Sequence, residues 1–444
     1  MYREICPPLI TGLTAVAALY ALLWWLSVEP PGPLVRREPV ERSAAQKREK
    51  ELRPAVDIRG AFLASGGTRS AVPGAWPAFR GRGRDNISRE ETRLAEAWPD
   101  KGPPVVWELA LGEGYAGAVV HSGAVYILDY DEEKRADTLR CLSLEDGKEI
   151  WRRWYRVDVK RNHGRSRTVP AVTDDYVVTI GPKCQVMCAA SVSGNFLWGI
   201  DLVREYGTEV PPWYTGQCPL ILNRTAIIAP GGSCLLMGVD CASGEVLWKT
   251  PNPDNWKMSH ASVMPMEFEG KKMVVYTAIG GTVGVSVDAE DAGSVLWKTT
   301  EWNHAVIAPS PVILPDGRIF LTAGYGAGSM MLRLRKTGDG FAAEPVFTLS
   351  RSEFACEQHT PVFRNGRLYT ILPKDGGQYR QQFVCMDAET RKILWRSGRQ
   401  RRFGLGPFLL TLDRIQVLGD RGRLTMLRAD AETYTEMDVC QVLE

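Results

Sequence analysis

The feature that most limits what this chain can become is a segment that returns about every 49 residues and closes on Gly-x-x-x-Trp. Copies run from Gly147 to Trp151, Gly194 to Trp198, Gly244 to Trp248 and Gly293 to Trp297. A fifth runs from Arg391 to Trp395, with Arg in place of Gly. Starting at Trp107, successive Trp residues lie 44, 47, 50, 49 and 98 residues apart. The last interval is twice 49, so one repeat has lost its Trp, and Phe347 stands where it is expected. A period of this size marks an architecture in which each unit buries its core against its neighbours.

Each repeat has the same internal order. An apolar strand bearing Pro or Ala comes first (TVPAVT, GQCPLIL, SPVIL, TPVF, GPFLL), then an Asp/Asn/Gly turn and a second strand such as YVVTI or RIFLTA. A third strand runs into a turn such as Leu144-Glu-Asp-Gly147, and the fourth carries the Trp. The turn Gly suits a hairpin position of positive φ. The Trp supplies a large apolar surface for packing between neighbouring units. Four antiparallel strands in each ~40–50 residues predict an all-β fold, a β-propeller of four-stranded blades. Seven units follow Trp107, the last from 404 to 444. The strand Val105-Val-Trp107-Glu-Leu109 reads as a fourth strand without a blade, pairing with the C-terminal unit to close the ring and remove its open edge. The count is therefore seven blades with a spare strand; eight with one incomplete is the alternative.

Composition agrees with many short strands and turns: Gly 43 and Pro 28 in 444 residues. A formal charge of +2 gives no reason to expect nucleic acid as a partner. Ahead of the repeats, Leu9 to Val28 carries no charge. At ~1.5 Å rise per residue it matches a ~30 Å hydrocarbon core, and Trp24 and Trp25 suit an interface. The expectation is an N-terminal transmembrane anchor over residues 1–28, in contact with the bilayer through 9–28. Residues 29–75, with six Pro and mixed charges, read as a flexible linker, with a short solvated helix within 40–53. The propeller is expected over 76–444. Basic residues after the apolar run would by themselves leave the propeller in the cytoplasm, a rule that weakens when a long domain follows.

These repeat ends resemble the PQQ-like β-propeller family, which includes the outer-membrane assembly lipoprotein BamB. Three further stretches carry the resemblance: Trp76-Pro-Ala-Phe-Arg-Gly-Arg-Gly-Arg-Asp-Asn-Ile-Ser88, Pro211-Pro-Trp213-Tyr214, and Ala429-Asp-Ala-Glu-Thr-Tyr434. The likeness covers about residues 76–444. It implies export, so the expected placement is a single-pass protein of the inner membrane with its propeller in the periplasm. Fold does not fix function. Quinoprotein dehydrogenases of this fold typically carry two adjacent cysteines, a calcium site built from Glu, Asn and Asp, and a catalytic Asp. No Cys-Cys dipeptide occurs here, nor a Cys-x-x-Cys-His haem attachment. No cofactor is expected, PQQ with calcium included.

Cys141, Cys188 and Cys385 each lie six residues before the turn position, which reads as one buried slot on the third strand. Cys218, Cys234 and Cys241 share a blade, leaving room for one bridge. The candidate binding residues are those leading into first strands: Arg165 (or Arg167), Tyr214, His260, His304 and His359. Such a rim around a channel mouth has the chemistry to bind an anion, a metal or a peptide; the alternative is that these groups only hydrogen-bond strand edges and channel water. The repeat residues Trp107, Trp151, Trp198, Trp248, Trp297 and Trp395 are structural. The expectation is a non-enzymatic scaffold that binds other envelope or membrane proteins. The rival is a quinoprotein-type oxidoreductase or small-ligand sensor acting at the channel mouth.

Overall fold

The computed structural model describes residues 7–27, 55–100, 102–162, 164–338 and 340–443. The chain divides into two compact units, Met1–Pro54 and Ala55–Glu444.

The first unit holds one helix, Pro7–Ser27. It corrects the expected membrane anchor: among the described residues no helix is long and apolar enough to cross a membrane. A single-pass inner-membrane placement, with bilayer contact through 9–28, is therefore not supported. Residues 28–54, including the helix expected within 40–53, lie outside the described residues, as does Cys6.

In the second unit seven antiparallel sheets follow one another, each with its strands side by side in chain order. They span 119–156, 171–201, 220–251, 264–299, 312–349, 362–396 and 408–441 and form the seven blades. The degenerate repeat is a complete fifth blade, and the final unit has its own fourth strand, Glu436–Gln441. Blade one gains a fifth strand, Ala61–Ala64, paired antiparallel with Glu149–Arg156. This short apolar run lies inside the segment whose Pro and charge content reads as linker. Its local partner is the blade edge, with Arg153 over the Phe62 ring at 5.3 Å or less from its centroid (5.2 Å).

The cysteine slot follows from the register. Cys141, Cys188 and Cys385 are each 0 % exposed and stand opposite Trp151, Trp198 and Trp395 on the neighbouring strand. In blades three and four Gly238 and Gly284 take that place against Trp248 and Trp297. In blade five, where Trp has become Phe347, the partner grows to Met331. In blade five the larger Met offsets the smaller ring, as a close-packed core favours.

Three of the signature Trp residues also bond to the next blade, whereas the Trp297 indole donates to Met273 of its own blade. Trp151 donates its indole N–H to the Val192 carbonyl (3.0 Å), Trp198 to Cys241 (2.9 Å) and Trp395 to Ala431 (3.0 Å). The ring covers the turn Gly of that blade: a Cβ on Gly194 would lie 2.7 Å from Trp151, so only Gly fits at this φ of +70°. In the fifth blade Phe347 does the same beneath Arg391, 5.4 Å from the guanidinium.

Ring closure differs from the sequence expectation. Residues 103–110 form no strand and do not pair with blade seven. Trp107 instead covers Gly147 of blade one and donates to the Leu144 carbonyl (2.9 Å), taking the role that a blade-seven Trp would play. Upstream, the Trp98 amide donates to Asp438 (2.5 Å) and Gly102 packs on Cys440, both on the last strand. A loop, not a shared strand, bridges the ends.

Candidate functional site

Around the axis the residue just before each first strand is bonded to the next blade. The Val169 amide donates to Cys218 Sγ (3.2 Å) and the Cys218 amide to Ser262 Oγ (3.0 Å). The Ser262 amide donates to Ser310 Oγ (2.9 Å) and the Ser310 amide to Thr360 Oγ1 (2.9 Å). Small hydroxyl or thiol side chains thus satisfy inner-edge amides that would otherwise face the channel unpaired. The series stops at blade seven, where the same position is Gly406.

Residues 76–88 occupy the axis at that gap. Trp76 exchanges backbone bonds with Val120 of blade one (2.8 and 3.0 Å), and the Pro77 carbonyl accepts from the Val172 amide of blade two (2.8 Å). Arg80, 6 % exposed, donates to the Thr360 carbonyl (2.8 Å) and the Pro361 carbonyl (2.9 Å) of blade six, and through Nε to the Arg84 carbonyl (2.9 Å). Asn86 donates to the Phe408 carbonyl of blade seven, and Ile87 lies parallel to Leu410. The turn at 80–84 sends Arg80 to the blade-six wall. Burial lowers the Arg80 and Arg84 guanidinium pKa values to about 10, with nearby Asp85 partly restoring Arg80.

The five candidate residues do not form one ring. Arg165 is paired with Glu132 and lies 3.7 Å from Glu113, over the Tyr130 ring. His359 is enclosed: Nε2 accepts the Ile371 amide (3.0 Å) and meets the Thr370 hydroxyl (3.0 Å), with Phe408 edge-on at 5.5 Å. Burial, and then the Arg80 charge, lowers its pKa to about 3. His304 stands against Trp302 at 4.3 Å, its pKa lowered by burial. Tyr214 donates to the Lys160 carbonyl (2.8 Å).

Tyr214 and His260 share one neighbourhood: burial first, then the Arg167 charge, lowers the His260 imidazole pKa to about 4, against the opposing pull of the Pro212 and Tyr214 backbone. Sequence reasoning passed over their neighbours. Trp213 stacks on Tyr325 of blade five (6.2 Å, 12° between planes) and lies 6.1 Å from the His260 ring. Trp213, Tyr214 and Tyr325 have φ of +61°, +70° and +56°, a left-handed backbone costing ~1–2 kcal/mol per non-Gly residue. Such strain, once observed, marks a site worth a functional hypothesis. The signals available in sequence were the Pro211-Pro-Trp-Tyr214 stretch and the Arg residues of Trp76–Ser88.

Among the described residues no group of three or more His, Cys, Asp or Glu could hold a metal ion.

A family model described as outer membrane protein assembly factor BamB, of PQQ-like repeats, matches residues 87–208 and 135–339. No curated protein matches the sequence. Among solved structures, BamB from Moraxella catarrhalis is 13% identical, with 81% of this chain and 97% of that one covered and a TM-score of 0.48. Quinohemoprotein alcohol dehydrogenase from Comamonas testosteroni is 12% identical, with 83% and 73% covered and a TM-score of 0.52, a likeness of fold alone.

Proposed function

The chain belongs to the PQQ-like β-propeller family of outer membrane protein assembly factor BamB, and from that membership we propose that it is a non-enzymatic scaffold binding other proteins of the cell envelope. The observation that carries this reading is the filled axis. Residues 76–88 run through the ring and spend their polar groups on blades one, two, six and seven. The candidate histidines His304 and His359 are each occupied within their own surroundings, His304 against Trp302 and His359 with Thr370 and Ile371. What the propeller offers instead is loop surface on rigid blades, the usual place for binding residues.

Affinity capture of the tagged full chain from detergent-solubilised envelopes tests this. Partners at stoichiometric yield, lost on mutation of surface loops, are expected. A chain that stays solitary and monomeric in every detergent and salt condition would sink the scaffold reading.

A further inference from the structure

Two neighbouring loops gather arginines that the chain leaves without carboxylates. One, 372–382, joins the second and third strands of blade six; the other, 397–407, leads from its fourth strand into blade seven. They are fastened side by side. Gln382 bridges Arg402 in antiparallel fashion, and the Phe403 amide donates to the Gln381 carbonyl (2.9 Å). Arg402 donates through Nη1 to the Arg380 carbonyl (2.9 Å) and through Nε to the Arg399 carbonyl (3.2 Å). Arg399 in turn donates to Gln378 Oε1 (3.1 Å). Arg396, the last residue of the fourth strand, lays its guanidinium over the Tyr379 ring, 4.3 Å from the centroid. Its Nε is buried without a hydrogen-bond partner among the described residues. The Arg380 guanidinium, exposed, bonds to nothing among them. Arg380, Arg396, Arg399 and Arg402 thus surround the short 3-10 helix Gly377–Tyr379, with neutral acceptors only.

Carboxylates bonded into these loops are already taken. Asp375 pairs with Arg351 (3.4 Å), Glu436 with Arg401 (2.9 Å), and Asp420 accepts the Leu405 amide (2.9 Å). At the opposite end of the same blade the arginines are balanced: Arg364 pairs with Asp430 (2.9 Å) and Arg367 with Glu432 (2.5 Å). Like charges held together repel, and an anion brought among them relieves that repulsion. Two of these guanidiniums are already fixed by backbone or amide oxygens, so little side-chain freedom is left to lose on binding.

We propose that these loops are the docking surface for an acidic segment of a partner protein, its Asp and Glu side chains meeting Arg380, Arg396, Arg399 and Arg402. This rests on the scaffold reading and names the chemistry of the partner. The planar guanidinium fork matches carboxylates in bidentate fashion. No large apolar side chain is exposed between 372 and 402, so the surface has nothing to insert into a bilayer.

The full chain is titrated with fluorescein-labelled hexaglutamate, with labelled hexaglutamine, and with phosphatidylcholine vesicles containing phosphatidylglycerol. Anisotropy and vesicle co-flotation are read. Saturable hexaglutamate binding is expected, at least tenfold tighter than hexaglutamine. It should weaken as salt rises, since exposed charges are screened beyond ~10 Å at 0.1 M; indifference to salt would overturn the proposal. Arg380→Gln combined with Arg396→Gln should weaken hexaglutamate at least tenfold. Arg156→Gln combined with Lys336→Gln removes the same charge from exposed positions on blades one and five and should leave affinity within twofold. Equal loss in both pairs would trace binding to net charge and overturn the patch, as would no loss in the first. Arg380→Gln alone breaks no side-chain bond, so it should melt with the parent while binding at least threefold more weakly. Undiminished binding there overturns the proposal even where the double variant misfolds. Vesicles bound in place of hexaglutamate would make this a lipid surface and overturn it as a protein site. Envelope capture tests the scaffold separately: partners recovered without hexaglutamate binding sink the patch alone, and a solitary chain that binds hexaglutamate sinks the scaffold alone.

Discussion

Arg80 and Thr360 are 280 residues apart in sequence, yet the guanidinium of the first donates to the carbonyl of the second at 2.8 Å inside the channel. This bond, with those to Pro361 and Arg84, fixes the axial segment against blade six. Replacing Arg80 by Met would leave buried carbonyls without donors, at a cost of ~1–3 kcal/mol for each unsatisfied group. Arg80→Met should therefore lower unfolding stability by about 3 kcal/mol in urea titration. A loss below about 0.5 kcal/mol, the range of ordinary surface changes, would show that the segment is not locked there.

Trp107 and Gly147 make a second closure contact that can be tested as a pair. A Cβ on Gly147 would lie 2.7 Å from the Trp107 ring, at a φ of +67°. Trp107→Ala removes a partly buried ring and should cost ~2–3 kcal/mol. Gly147→Ala should also destabilise, through strain and displacement of the ring. Because both changes break one contact, the double variant should lose less than the sum. Strict additivity in the four-variant cycle would mean that Trp107 does not brace the blade-one turn.

Stability should fall on acidification from about pH 6.5 toward pH 4. His359 and His260 have folded pKa values lowered to about 3 and about 4, by burial first and then by Arg80 and Arg167. Below ~6.5 the unfolded chain takes up protons that the folded histidines refuse, so their contribution is complete above that pH and drains away beneath it. Asp137 acts the other way: burial raises its pKa to about 6, so its share is present in acid and is lost as pH rises through that value. Two groups against one leave a net loss in acid. His359→Gln should flatten the slope of unfolding free energy with pH between 4 and 6.5; the same slope as the parent would remove His359 as its source.

Thiol labelling distinguishes the slot cysteines from the rest. Burial pushes the Cys141 and Cys385 thiols up to about 12 and raises Cys188 further, and none of the described cysteines is bridged. The partly exposed Cys440 should label first in the native protein, ahead of these three by orders of magnitude in rate. Native labelling of Cys141, Cys188 or Cys385 at the rate of Cys440 would contradict the slot.

The repeat was legible because its cause is local. The turn Gly and the Trp recur at a fixed spacing for one packing reason, so spacing alone located Phe347. Residues 76–88 were legible only as a motif: their partners Val120, Val172, Thr360 and Phe408 are remote, and backbone carbonyls leave no trace in sequence. The candidate rim was legible as a set of places in the repeat, but spacing does not record which polar side chains already have partners. His359 is held by Thr370 and Ile371, and Arg165 by Glu113 and Glu132.

The axial segment also sets an order on the making of this protein. It leaves the ribosome before any blade, but its acceptors at Thr360 and Phe408 are among the last residues to be synthesised. Until then Arg80 and Asn86 have nothing to hold, and the ring can be complete in five blades yet still unsealed. Such distant pairings fold slowly and expose strand edges while they wait. Completion of the chain, not the formation of any one blade, is the event that makes this propeller a single object.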